Sequence, residues 1–321
     1  MEMSGNLYVG IDLGGTNIKV GVCDETGKLL HSYEGPTGTE EGADVILSRI
    51  EEYVRKLVSD ASLSMDQIEG VGAGIAGFLD IPNGIVLESP NITPFRNIPL
   101  VQILEERLGK RVILNNDANV AALGEAWGGA GAGISNLVCY TLGTGVGGGI
   151  IIDGQIHQGF SSMGGELGHM QVVPDLEAIV CGCGQTGCLE TVSSATGIVR
   201  MAKDAVERGD KTSLQLMEEI TAKDVFTAAK TGDEVAVRIV NRAAYYIGRS
   251  MAMLAVVVNP QRFILGGGVS RAGDILFEPI REIFNRYTPA PGREGVDIVP
   301  AMLGNDAGMV GAAGLVRQAQ P

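Results

Sequence analysis

Three times along this chain an apolar run ends directly in glycines. Tyr8–Leu13 leads into Gly14-Gly15, Ser135–Leu142 into Gly143-Thr144-Gly145 with Gly147-Gly148-Gly149 beyond, and Gln261–Leu265 into Gly266-Gly267-Gly268. Glycine has no Cβ, so it admits φ > 0 and lets a ligand reach the backbone. Several backbone N–H groups aimed into one concavity can grip a phosphate. A glycine pair between two strands is also an ordinary hairpin turn, and each loop taken alone supports that reading. Three such loops, each at the end of an apolar strand, point instead to a shared use. Neither the Walker pattern nor a dinucleotide fingerprint opening a helix fits, because the first two loops join paired strands. This arrangement favours a nucleotide held between two domains.

Composition narrows the class. Glycine supplies 47 of the 321 residues, roughly twice the usual share of about 7%. No every-third-residue rhythm accompanies it, which excludes a collagen-like chain. With 45% hydrophobic residues the chain can bury a core and is not disordered. Its length suggests two domains. The 38 acidic against 24 basic residues give a net charge of −14, which argues against binding nucleic acid. Residues 1–6 lack a basic region and an apolar signal core, so the chain reads as cytoplasmic. The most apolar stretch, Ser250–Val258, is too short to cross a bilayer and continues a segment carrying Arg238, Arg242 and Arg249. It reads as a buried helix with one polar face. No membrane association is expected. An odd number of cysteines, three of them within residues 181–188, argues against a disulfide framework.

The pattern along the chain is α/β. Strands are expected at Tyr8–Leu13, Ile18–Cys23 and Lys28–Tyr33, then a helix over Ala43–Val58, a buried strand at Ile68–Ile75 and a hairpin turn at Asn83-Gly84. A helix at Pro99–Leu108, a strand at Arg111–Leu114 and a helix from Asp117 follow. Asp12-Leu13-Gly14-Gly15 then finds an echo in Thr141-Leu142-Gly143-Thr144, both strand, glycine loop, strand. The echo predicts two similar halves facing each other. The second half carries a large insertion, about 154–190, and several helices to Val258. Domain boundaries are expected near Asp117 and near Ala301, giving a small domain of 1–117 plus 301–321 and a large one of 118–300. The last helix, about Asp306–Gln318, returns to cover the first domain.

Charged residues near the loops suggest chemistry. A carboxylate at Asp12 would repel a nucleotide's phosphates unless a cation such as Mg²⁺ lies between them. A turn-capping role for Asp12 is the alternative. Lys19 suits either phosphate contact or a solvated strand face. Asp117 ends a strand and starts a helix. Ligands gather at such strand ends, but an N-cap aspartate has the same local sequence.

The chain resembles the ROK family (repressor, open reading frame, kinase), and within it the bacterial hexokinases, most of all the glucokinases. The resemblance covers essentially the whole chain. It rests on Asp12-Leu13-Gly14-Gly15-Thr16, Asn116-Asp117-Ala118-Asn119, the Gly143–Gly149 loop, Glu166-Leu167-Gly168-His169 and Cys181-Gly182-Cys183-Gly184-Gln185-Thr186-Gly187-Cys188-Leu189-Glu190. It implies two ribonuclease-H-like domains of the actin-like ATPase superfamily closing on ATP, with a cleft between them. It implies ATP with Mg²⁺ at Asp12, Gly14, Gly15, Thr16, Lys19, Thr144 and Gly145, and adenosine at Gly266, Gly267 and Gly268. Asp117 becomes the catalytic base, and the helix N-terminus is expected to keep it ionised, hence a modest base. Sugar hydroxyls are assigned to Asn116, Asp117, Glu166, His169 and Glu190, and less tightly to Gly74 and Asn91. Relatives often carry a carboxylate where Asn115 stands, a departure expected to matter little.

His169, Cys181, Cys183 and Cys188 offer one nitrogen and three sulfurs, the donor set of a closed structural zinc site. Free thiols or a regulatory disulfide are the alternative. One ring nitrogen of His169 would bind zinc and the other face a sugar hydroxyl. The implied activity is transfer of the γ-phosphoryl of ATP to the 6-hydroxyl of glucose, the entry step of glycolysis. N-acetylmannosamine, mannose, fructose or allose remain alternative sugars. A sugar-sensing regulator without catalysis is the reading from another class; its added N-terminal DNA-binding domain is not expected here, with the phosphate loop starting at Asp12. A homodimer or higher homo-oligomer is implied by the family alone.

Overall fold

The computed structural model describes residues 5–319. The chain forms two units, one of residues 1–135, 149–164 and 302–321, the other of 136–148 and 165–301.

The first unit contains strands β1 (Leu7–Leu13), β2 (Asn17–Cys23) and β3 (Leu29–Pro36), helix α1 (Ala43–Asp60) and strand β4 (Ile68–Ile75). Short strands β5 (Phe78–Asp80), β6 (Ile85–Glu88) and β7 (Arg96–Ile98) follow, then α2 (Leu100–Leu108), β8 (Val112–Asn116) and α3 (Asp117–Gly128). Its main sheet has the order β3-β2-β1-β4-β8. β1 pairs antiparallel with β2 and parallel with β4, and β4 parallel with β8. Side chains alternate across a strand. Leu7, Val9, Ile11 and Leu13 therefore enter one core with α1 and α2, while Tyr8 packs with residues of the last helix on the other face. β5, β6 and β7 form a separate small sheet. The turn at Asn83-Gly84 joins β5 to β6, and the Asp80 carboxylate holds it by accepting the Asn83 N–H at 3.3 Å and Nδ2 at 2.8 Å.

The second sheet has the order β11-β10-β9-β12-β13. It contains β9 (Leu137–Leu142), β10 (Val146–Ile152), β11 (Gln155–Ile156), β12 (Arg262–Gly266) and β13 (Asp297–Pro300). β12 runs parallel to both β9 and β13. Numbered within each sheet, both read third, second, first, fourth, fifth, which is the duplication the glycine echo predicted. Helices α4 (Glu190–Ser193), α5 (Ala195–Glu207), α6 (Ala222–Lys230), α7 (Glu234–Val257), α8 (Asp274–Tyr287) and α9 (Ala290–Arg293) build the rest of the second unit. The apolar stretch from Ser250 is the end of α7. Among the described residues no helix is long and apolar enough to cross a membrane.

The last helix, α10 (Ala307–Gln318), lies on the first unit. It comes so close that a Cβ at Gly10 or Gly72 would collide with its Met309 or Ala312 carbonyl, and Gly124 and Gly311 let α3 and α10 touch backbone to backbone. Part of the glycine surplus therefore sits inside strands and helices and seats α10. This packing also moves the boundary: α3 belongs with α10, so the first unit runs on to Ser135 rather than ending near Asp117. Further crossings fall between Gly148 and Gly149, between Gly164 and Gly165, and between Ala301 and Met302. The buried carboxylate of Glu125 ties the end of α3 to the segment leading into α10, accepting the N–H groups of Ala130 at 2.8 Å, Met302 at 3.1 Å and Leu303 at 2.8 Å.

Candidate active site

In the first unit the site residues gather where β1, β4 and β8 end. Asn116 closes β8, and its Oδ1 accepts the N–H of Ala118 at 2.9 Å and of Asn119 at 3.3 Å. The helix cap is thus Asn116, and Asp117 is the first helical residue. The N-cap position itself is therefore taken by Asn116 rather than Asp117. The Asp117 carboxylate lies beside the N–H groups of Ala118 and of Asp117 itself, while Asn116 keeps only its amide NH₂ to offer a ligand. The neighbouring Asn115 is buried and accepts the Asn116 N–H at 2.8 Å and Asn119 Nδ2 at 3.3 Å. Burial raises the pKa of Asp117 above the ordinary carboxylate value, against the N–H groups of Ala118 and of Asp117 itself. The expectation of a modest base is corrected here: desolvation outweighs the helix N-terminus.

Asp12 sits on β1 opposite Lys19 on one side and Gly74 on the other. Burial pushes its carboxyl up to about 6; Lys19 opposes the rise, and Asp117 and Glu34 add to it. A Cβ at Gly308, near the start of α10, would lie 2.7 Å from the Asp12 carboxyl. Gly308 thereby makes room for this carboxylate. Lys19 donates from Nζ to the Asn305 carbonyl at 3.4 Å and lines a cavity of about 300 Å³ with Tyr33, Glu34, Asn305 and Asp306.

The Gly14-Gly15-Thr16 turn is fastened from behind. The buried Thr37 donates its hydroxyl to the Gly14 carbonyl at 2.6 Å and its N–H to the Thr16 carbonyl at 2.8 Å. A Cβ at Gly15 would come within 2.5 Å of the Asn91 carbonyl. The structure therefore brings Asn91 to the glycine turn, through its backbone. Gly74 is buried in β4, where a Cβ would collide with Val120 of α3. Thr37 was not visible in the sequence as a site residue, because its partners lie more than twenty residues earlier.

In the second unit the glycine loop between β9 and β10 is tied to the start of α5 and to Glu190. The Gly143 carbonyl accepts the Ala195 N–H at 2.8 Å, and the Thr144 carbonyl the Thr196 hydroxyl at 2.8 Å. The Val146 N–H donates to Glu190 Oε2 at 2.8 Å. A Cβ at Gly145 would collide with that carboxylate, and one at Gly168 with the Val146 carbonyl. Gly267 (φ +83°) abuts the backbone of Leu142, while a Cβ at Gly268 would meet open space. The second and third glycine loops are thus neighbours.

Beside Glu190 the donor atoms of His169, Cys181, Cys183 and Cys188 all lie within 4.8 Å of one another. Cys181 Sγ is 3.8 Å from His169 Nδ1, and Cys183 Sγ 3.7 Å from Cys188 Sγ. A tetrahedral zinc with Zn–S near 2.3 Å and Zn–N near 2.05 Å requires edges of about 3.6–3.8 Å. The residues fit that ion. Burial pushes the Cys188 thiol up to about 12, so a thiolate there needs a cation beside it. With Nδ1 in the cluster, His169 has Nε2 left for another partner. Glu166 shares its turn, accepting the His169 N–H at 3.1 Å.

A sequence profile of the ROK family matches residues 8–319. The chain belongs to the ROK family. It is 43% identical to the glucokinase of Halalkalibacterium halodurans, over 98% of this chain and 96% of that protein. The crystal structure of a ROK hexokinase from Thermus thermophilus matches with a TM-score of 0.84 at 35% identity, covering 96% of both chains. A ROK family glucokinase from Streptomyces griseus, in complex with glucose and AMPPNP, matches with a TM-score of 0.77 at 38% identity, over 98% of this chain and all of that one. This ROK chain accordingly has the two-domain actin-like ATPase fold of sugar kinases.

Proposed function

We propose that this ROK protein is a cytoplasmic, ATP-dependent glucokinase that moves the γ-phosphoryl of ATP to the 6-hydroxyl of glucose. The observation that carries the reading is Asp117: a half-buried carboxylate just past the end of β8, with the N-cap position taken by Asn116 and its pKa raised by desolvation. The glucokinases among its relatives support the sugar.

A sugar hydroxyl must be oriented and must lose its proton during transfer. Asp117 accepts that proton, and burial makes it a stronger base than an exposed aspartate. The amide NH₂ of Asn116 donates to the sugar, and Glu166, Glu190 and His169 Nε2 fix further hydroxyls. Glycines 14, 15 and 145 with Thr16 and Thr144 offer backbone to the phosphates, and Gly266, Gly267 and Gly268 to the adenosine. Asp12 is the residue that would face Mg²⁺, which when bound offsets the charge of the phosphates. His169, Cys181, Cys183 and Cys188 would hold structural zinc, which fixes the loop that carries Glu190. The protein works as a homodimer or higher homo-oligomer.

A coupled assay with ATP over a panel of hexoses tests the substrate. Glucose is expected to exceed mannose, fructose, allose and N-acetylmannosamine in kcat/KM by tenfold or more, about 1.4 kcal/mol of discrimination. A better rate with any of the others transfers the same chemistry to that sugar.

A further inference from the structure

Glu190 has two carboxylate oxygens with different neighbours. Oε2 accepts the Val146 N–H of the glycine loop at 2.8 Å, while Oε1 faces the metal cluster, 3.7 Å from Cys181 Sγ. Its backbone is rigidly placed. It follows Cys188 by two residues, Leu189 donates its N–H to the Met170 carbonyl at 2.9 Å, and Thr191 holds the Cys188 carbonyl by N–H at 3.0 Å and by hydroxyl at 2.7 Å. The loop it meets is shaped for it, since any side chain at Gly145 would occupy the place of the carboxylate.

We infer that Glu190 is a positioning residue for the phosphate loop, and that through it glucose and ATP strengthen each other's binding. The inference rests on the kinase reading above. A carboxylate is one rigid plane, so a partner on one oxygen orients the other. Sugar hydroxyls donating to Oε1 stop the group from rotating and hold Oε2 on the Val146 N–H. The loop is then ordered before ATP arrives, which lowers the entropy cost of binding it. Linkage requires the reverse effect to be equally large. Sugar therefore favours nucleotide binding through a hydrogen bond that touches neither ligand's reacting atoms.

Calorimetric titration of Mg·AMPPNP, with and without glucose, tests this on the zinc-loaded full chain, with zinc content and Tm measured for every variant. Wild type is expected to bind AMPPNP about five- to tenfold more tightly when glucose is present. Glu190→Ala should weaken sugar-free AMPPNP binding by a similar factor, abolish the glucose effect, and speed amide hydrogen exchange over residues 143–147. Glu190→Gln still offers a carbonyl oxygen to Val146, so it should keep sugar-free AMPPNP affinity while losing glucose affinity. Gly145→Ala leaves Glu190 in place but displaces its carboxylate; since Gly145 also faces the phosphates, its readout is loss of the glucose effect on AMPPNP affinity, expected even if Glu190→Ala does not fold. Unchanged AMPPNP affinity and exchange in Glu190→Ala, or a glucose effect kept in Gly145→Ala, would overturn the inference and leave Glu190 a sugar ligand only. A wild-type chain that binds glucose but no AMPPNP would overturn the kinase reading as well, and is told apart by that first titration.

Discussion

The two five-stranded sheets repeat one strand order and place a glycine loop at the same point in it, yet the loop is fastened differently in each. In the first unit the turn at Gly14-Gly15 rests on neutral groups, the Thr37 hydroxyl and the Asn91 backbone. The charges lie to its side, on Asp12 and Asp117. In the second unit the loop is gripped by a carboxylate, Glu190, which joins it to a cluster of three cysteines and a histidine. The fold thus supplies the glycine loop twice, and the chemistry comes from what packs behind each copy. On the proposed function, the first unit supplies the proton acceptor and the second holds ligands in place.

That division can be broken from either side. The largest effect is expected at Asp117. Asp117→Ala should lower kcat by roughly 10²–10⁴-fold while AMPPNP and glucose still bind; near-normal turnover would remove the base from the first unit. Since the ionised form is the base and burial raises its pKa, activity should fall, as pH drops, at a higher pH than an exposed aspartate would give. Next comes the second unit's cluster. Cys188→Ser, or prolonged chelation, should lower Tm by more than about 5 °C and weaken glucose more than it weakens the fold of the first unit. A metal-free protein of unchanged Tm and glucose affinity would make the cluster incidental.

A smaller loss is expected where the end of α3 meets the segment leading into α10. Glu125→Ala leaves three N–H groups without their acceptor and should cost about 2–4 kcal/mol in chemical denaturation. A loss under about 1 kcal/mol would mean that water replaces the carboxylate. The smallest effect is a gain. Asp12 is raised to about 6 in the fold, so the unfolded chain ionises first as pH rises, and stability is lost between the ordinary carboxylate value and about 6. Asp12→Asn should therefore stabilise the ligand-free protein at pH 7 by at most about 3 kcal/mol. The gain should vanish below about pH 4, and Mg²⁺-dependent turnover should be lost. A variant no more stable at pH 7 than at pH 4, relative to wild type, would mean that Asp12 is not held under strain.

Much of the site was legible locally, because glycine loops, a strand-end aspartate and a cysteine–histidine spacing each occupy a few consecutive residues. The mixed sheets and the repeat were legible for the same reason. What escaped depends on partners far away in sequence. Whether Asn116 or Asp117 caps α3 is a one-residue question that only geometry answers. The sign of the Asp117 shift depends on how deeply the strand ends are buried, which no motif states. Gly10 and Gly72 stand in apolar strands with no local reason for a glycine, and their reason is a helix some 240–300 residues later. Glu125 carried no signal in the sequence, since its three partners come from two separate segments. The boundary near Asp117 failed because helix contacts, rather than motifs, decide which unit α3 joins.

The most direct test of the central claim is to follow glucose and Mg·ATP by NMR in the presence of the protein. One product is expected, phosphorylated on the 6-oxygen, with one ADP formed per sugar consumed and very slow ADP release when sugar is withheld. ADP formed at the same rate without sugar, or a phosphoryl group on another hydroxyl, would contradict it.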